Sequence, residues 1–113
     1  MEILNERYVL EGINDEPFKT VPRGFLKSKE SEIALDYPSV ILNLMPDDNV
    51  NIRLFVNNAP SLSKEILLMS GIVYKIEKDY FEASFGGLLL LFKGSLHEDL
   101  ALDSKIYISV SKF

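Results

Sequence analysis

Apolar and polar residues alternate over several short stretches of this chain, the period of two that places every second side chain of a strand on one face. The strongest such region runs from 66 to 94, where two apolar arms flank a polar link at Glu77, Lys78 and Asp79. The sides alternate from Val73 to Glu77 and again from Phe81 to Phe85, which predicts a β-hairpin that folds back at Lys78. Gly86 and Gly87 follow, then Leu88, Leu89, Leu90, Leu91 and Phe92. With Gly94 behind it, that apolar run is too short for a stable helix and predicts a strand buried on both faces. Glycines inside a strand mark a bulge, a bend or a close backbone approach. The pair is therefore expected to bend the second arm and roll the sheet into a barrel.

Upstream, Ile33, Leu35 and Tyr37 alternate with Glu32, Ala34 and Asp36, and Val40, Ile41, Leu42 and Leu44 resume the strand beyond Pro38. Pro38 has no N–H for a ladder, so an edge or a bulge is its expected place. Met45 to Asn49 reads as a turn, and Val50, Ile52, Leu54 and Val56 alternate with polar neighbours beyond it. These segments predict a second hairpin. At the C-terminal end Ile106, Ile108 and Val110 alternate again and can close the sheet against an earlier strand. Between them, Ser95 followed by Glu98 matches a capping box and predicts one helical turn. Arg7 to Ile13 reads as a strand, whereas Pro17, Pro22 and Gly24 interrupt what surrounds them. Residues 1–31 are expected to supply one barrel strand and a covering loop. The fold class that emerges is all-β: an antiparallel barrel over 1–113, with at most a short helical turn.

Composition narrows the function classes. With 113 residues, 47% hydrophobic and 26% charged, the chain fits one core of ordinary size. It contains no cysteine, which removes disulfides, thiolate metal sites and cysteine nucleophiles. The first residues carry acids where a signal peptide would carry bases, and no apolar run reaches the roughly 20 residues of a spanning helix, so a cytoplasmic location is expected. The net charge of −5 works against binding a polyanion, and the lysines at 27, 29, 75 and 78 are interleaved with acids.

The stretch Ser70, Gly71, Ile72, Val73, Tyr74, Lys75, Ile76, Glu77, followed by Ser84, Phe85, Gly86, Gly87, Leu88, Leu89 and Gly94, resembles the signature of one family. The family is that of the small common subunit counted eighth in eukaryotic nuclear RNA polymerases, together with its counterpart in archaeal DNA-directed RNA polymerase. The strand, turn and strand over 33–44 and 50–56 are similar to the family's central hairpin, and the last strand falls where the family ends. The eukaryotic relatives carry a long acidic insertion before the Gly71 strand. Here the link spans only 57–65, which fits a compact archaeal form. The resemblance implies an OB-like barrel that acts as a non-catalytic peripheral subunit docked on the largest polymerase subunit. It brings no catalytic residue and no cofactor.

The remaining candidates read as structure. His97 is the only histidine, so it has no partner for a multi-histidine metal site. Asp47 and Asp48 lack the further carboxylates that calcium needs. Gly86 and Gly87 lack the lysine and hydroxyl of a phosphate loop. Tyr74, Tyr80, Phe81, Phe85, Phe92 and Tyr107 fall in the strongest strands and read as core, although aromatic side chains also anchor protein interfaces. For a subunit contact the candidate surface is Tyr74, Phe85, Gly86 and Gly87. The rival reading is a free-standing OB-fold module that binds single-stranded nucleic acid through stacked bases and paired cations.

Overall fold

A computed structural model describes residues 1–16, 20–60 and 67–112. Eight strands follow one another: β1 (Glu2–Asn14), β2 (Arg23–Lys27), β3 (Glu32–Asp36), β4 (Asn49–Val56), β5 (Leu67–Ile76), β6 (Tyr80–Phe85), β7 (Leu88–Lys93) and β8 (Lys105–Lys112). Every pairing is antiparallel, and the strands close into a barrel in the order β1-β2-β3-β7-β6-β5-β8-β4. The expected all-β barrel is the fold of this chain.

Alternation decides what goes inside. Ile33 and Leu35 of β3, Val50, Ile52 and Leu54 of β4, Phe81 and Ala83 of β6, and Ile106, Ile108 and Val110 of β8 all point inward and are buried. Phe81 and Phe92 stack across β6 and β7 with ring centroids 5.4 Å apart. Tyr8 is fully buried on β1, where its hydroxyl shares hydrogen bonds with the Ser31 hydroxyl and the Glu6 carboxylate. The Tyr8 hydroxyl thus enters the core with partners, whereas the Ser109 hydroxyl on β8 is buried without one.

Curvature comes from bulges and from one glycine. β1 pairs with β4 over its first half and with β2 over its second, and a bulge at Glu11, between Leu10 and Gly12, lets it serve both neighbours. β5 likewise leaves β8 for β6 at Ile72, which pairs with Lys105 on one side and Ser84 on the other. Just before that handover a Cβ on Gly71 would lie 2.2 Å from the Ser84 carbonyl oxygen, so only glycine permits the two strands to approach this closely.

Several expectations are corrected. Gly86 and Gly87 do not bend a strand. They form the two-residue turn between β6 and β7, with Phe85 paired directly to Leu88. Their φ angles of 64° and 101° meet the type I′ requirement for positive φ at both central positions. β7 is not buried on both faces: Leu90 and Phe92 point inward, while Leu89 and Leu91 look outward. Residues 1–31 supply two strands, β1 and β2, where one was expected.

The second hairpin is absent as well, because β3 pairs with β2 and β7 while β4 pairs with β1 and β8. Beyond Asp36 the Pro38 carbonyl accepts hydrogen bonds from the Ile41 and Leu42 amides at 3.1 and 3.0 Å, turning the chain out of the sheet. Leu42 and Leu44 still enter the core, and the Leu10 carbonyl accepts the Asp47 amide as the loop crosses to β4. At 95–104 turns replace the expected helical turn: the Leu100 amide reaches the His97 carbonyl, but no helix forms. Pro17, and Ile66 at the start of the first arm, lie outside the described residues.

Candidate protein interface

The outer face of β2, β3, β7 and β6 is organised in rows set by register. The middle row runs Gly12, Phe25, Ala34, Leu91, Glu82 and Lys75 from β1 to β5. One neighbouring row carries Lys27, Glu32, Lys93 and Tyr80, and on the other side stand Arg23 and Asp36, followed by Leu89, Ser84 and Ile72. Four large hydrophobic side chains are thereby left in solvent on one continuous face: Phe25 (43% exposed), Leu89 (36%), Ile72 (46%) and Tyr74 (45%). Scattered single apolar residues are normal on a protein surface, whereas several gathered on one face make it a candidate interaction surface.

Small residues shape this strip. Gly12 has nothing within 4 Å of where a Cβ would stand, and Ala34 separates the Phe25 ring from Leu91. The result is a trough of about 280 Å³ over Phe25, Ala34 and Leu91, edged by Glu11, Glu32 and Lys93. A smaller depression lies on the other side of Leu91, between Arg23, Glu82 and Leu89.

Ion pairs rim the strip. Arg23 clasps Asp36 with two hydrogen bonds, Nε to Oδ1 at 2.7 Å and Nη2 to Oδ2 at 3.2 Å, and this contact raises the Arg23 pKa. Asp36 Oδ2 also accepts the Leu89 amide at 3.0 Å, one residue beyond the end of the β3–β7 ladder. Lys75 lies 3.8 Å from Glu82, and Lys27 lies 3.9 Å from Glu32. Tyr74 Oη donates to Glu82 Oε1 at 3.5 Å, the limit of a hydrogen bond, and its hydroxyl pKa is pushed up by burial and then by that carboxylate. An apolar centre with a polar rim is the anatomy of a protein interface. Each paired cation here is already neutralised, which leaves little positive charge for a nucleic-acid backbone.

The structure separates the four residues that the sequence groups together. Tyr74 stands on the exposed face. Gly86 and Gly87 sit in solvent at the β6–β7 turn. Phe85 is buried at 5% and points inward beside Gly71, so it serves the core and not a contact surface. Sequence reading missed Phe25, Ala34, Leu89 and Leu91. The signal that could have found them is register: apolar residues at outward positions of three adjacent strands become visible only once those strands are known to be neighbours.

The other singled-out groups have local roles. Asp48 Oδ2 accepts the Met45 amide at 2.8 Å and lies 3.2 Å from Lys112 Nζ, which lowers its pKa and closes the turn into β4. His97 Nδ1 accepts the Asp99 amide at 3.1 Å within its own loop. Among the described residues no three histidine, cysteine or acidic side chains gather as a metal site, and no helix is long and apolar enough to cross a membrane. No protein-family model matches the chain, and none of the curated proteins matches it.

Proposed function

We propose that this chain is a non-catalytic, peripheral subunit of an archaeal DNA-directed RNA polymerase, working in the cytoplasm and bound to the largest subunit. The resemblance over 70–94 supports this reading, because those residues form β5, β6, β7 and their two turns, the unit that holds Tyr74, Leu89 and Leu91 on the outer face. The observation that carries it is the apolar strip itself. The strands are already paired around a closed ring, and the inward side chains fill one another's spaces. Burying Phe25, Ile72, Tyr74 and Leu89 against another protein would add stabilisation of roughly 25 cal/mol for each Å² removed from water. Assembly on a larger chain is a task that such a surface can perform without chemistry of its own.

The test is co-purification of the wild-type chain with recombinant largest subunit. A stoichiometric complex is expected, and failure to bind while other polymerase subunits assemble would overturn the reading. The rival, a single-strand nucleic-acid module, predicts salt-dependent retention on a single-stranded oligonucleotide column. With Arg23, Lys75 and Lys27 each opposed by a carboxylate, the chain is expected to pass through.

A further inference from the structure

The trough over Phe25, Ala34 and Leu91 has a chemical polarity that the strip as a whole does not. Glu11 stands at its β1 edge and Lys93 at its β7 edge. Three ion pairs lie on the same face: Arg23 with Asp36, Lys27 with Glu32 and Lys75 with Glu82. Among the described residues Glu11 and Lys93 have no ion-pair partner. A carboxylate and an ammonium, neither held in an ion pair within 4.0 Å, thus stand at opposite edges of an apolar floor, with Glu32 beside Lys93 already engaged by Lys27.

We infer that the trough binds an extended segment of a partner protein that places an apolar side chain between a basic and an acidic residue. The apolar side chain would sit against Phe25 over Ala34, the basic residue would meet Glu11, and the acidic residue would meet Lys93. Spacing follows from sheet geometry. β1 and β7 are separated by β2 and β3, so the two charges stand roughly 14 Å apart at about 4.8 Å per strand, and an extended chain covers that in about four residues. The bulge that makes Glu11 an extra residue on β1 aims its carboxylate at the trough edge, a known use of such irregularities. Opposite charges at the two edges also fix the direction of the bound segment, since reversing it would set like charges together. This deepens the reading above by naming what the face recognises, and it rests on that reading only for where the segment is found.

Two synthetic heptapeptides test it, each with a central leucine flanked by serines. In one an arginine precedes the leucine by two positions and a glutamate follows it by two, and in the other these charges are exchanged. Amide chemical shifts of the full chain report binding, alongside sedimentation to follow its oligomeric state. Wild type should bind both peptides with shifts centred on Phe25, Ala34 and Leu91, in mirrored orientations distinguished by a spin label on the peptide N-terminus. The arginine-first label should broaden β1 signals near Glu11 and the glutamate-first label those near Lys93. In the double variant Glu11→Lys with Lys93→Glu, each label should move to the opposite edge, while Ala34→Gln, which fills the trough, should weaken both peptides by roughly fivefold or more.

Failure of either peptide to shift these residues, or labels indifferent to the charge exchange, would overturn the inference. So would a wild-type dimer that dissociates in the Ala34→Gln variant, because the trough would then belong to a second copy. If the labels exchange edges while the largest polymerase subunit is not bound, the trough inference stands and the polymerase reading falls. If that subunit binds wild type and Ala34→Gln alike and the labels do not exchange, the reverse holds.

Discussion

The inner and outer surfaces of this barrel treat an added atom in opposite ways. Inside, a Cβ on Gly71 would stand 2.2 Å from the Ser84 oxygen and 2.7 Å from the Phe85 ring, and one on Gly24 would stand 3.1 Å from the Tyr37 ring. Outside, in the row that holds Phe25 and Ala34, a Cβ on Gly12 would meet nothing within 4 Å. The strands are shared, so the difference belongs to the faces and not to the local backbone. Packing dictates residue identity inside, whereas the fold makes no such demand on the outer strip. The large apolar side chains of that strip are left partly in water, and the proposed subunit contact would cover them.

The comparison breaks most readily at Gly71. An alanine there forces either β5 or β6 to move, because the nearest obstacle is backbone and not a flexible side-chain end. The expected cost is about 3 kcal/mol or more, at or above the usual range for overpacking. Denaturant unfolding of Gly71→Ala should therefore show a strongly lowered midpoint. A midpoint within experimental error of wild type would mean that the barrel interior yields, and the distinction between the two surfaces would fail.

Tyr8 sharpens the same point through pH. Burial pushes its hydroxyl up to about 12, with the Glu6 carboxylate adding to the rise and the Ser31 hydrogen bond opposing it. The folded pKa lies above the unfolded value of 10.0, so the contribution is fully present below pH 10 and is lost as pH climbs toward 12. A shift of this size corresponds to roughly 2–3 kcal/mol. Stability measured by urea unfolding from pH 9 to pH 12 should fall steeply for wild type and less steeply for Tyr8→Phe. Tyr37, also raised by burial, leaves a residual slope in the variant. Equal slopes in the two proteins would remove Tyr8 as the cause.

How much of this was legible beforehand follows from the same division of faces. β4, β6 and β8 could be read directly, since their outward positions carry mostly polar residues and the period of two survives. β7 could not, because Leu89 and Leu91 are apolar on the outward side as well and erase the alternation. That erased pattern disguised the turn. Two glycines between two alternating runs are a strong hairpin signal, but ahead of an unbroken apolar run they passed for a bend. The segment beyond Pro38 was misread for the complementary reason: Leu42 and Leu44 are buried as strand residues would be, although they reach the core from a loop. The candidate surface suffered most. It is assembled from β2, β3, β7, β6 and β5, and the closing order of the barrel is not written in any one of them.

The smallest expected effect is the most informative about function. Phe25→Ala removes a ring that is 43% exposed on the outer row, with the open flank of Gly12 on one side and Ala34 on the other. Somewhat more than half of its area leaves water on folding, against nearly all of a core ring's, so the loss should be about 1–2 kcal/mol. Phe81→Ala, on the same sheet but 1% exposed and stacked on Phe92, is the matched control and should cost roughly 3–5 kcal/mol. Urea unfolding of the two variants side by side measures the gap. If Phe25→Ala proved as costly as Phe81→Ala, the ring would be part of the fold's own packing, and its exposure would no longer call for a partner. If the gap holds, the outward part of the Phe25 ring does not serve the fold's own packing, and the proposed protein contact accounts for its place in solvent.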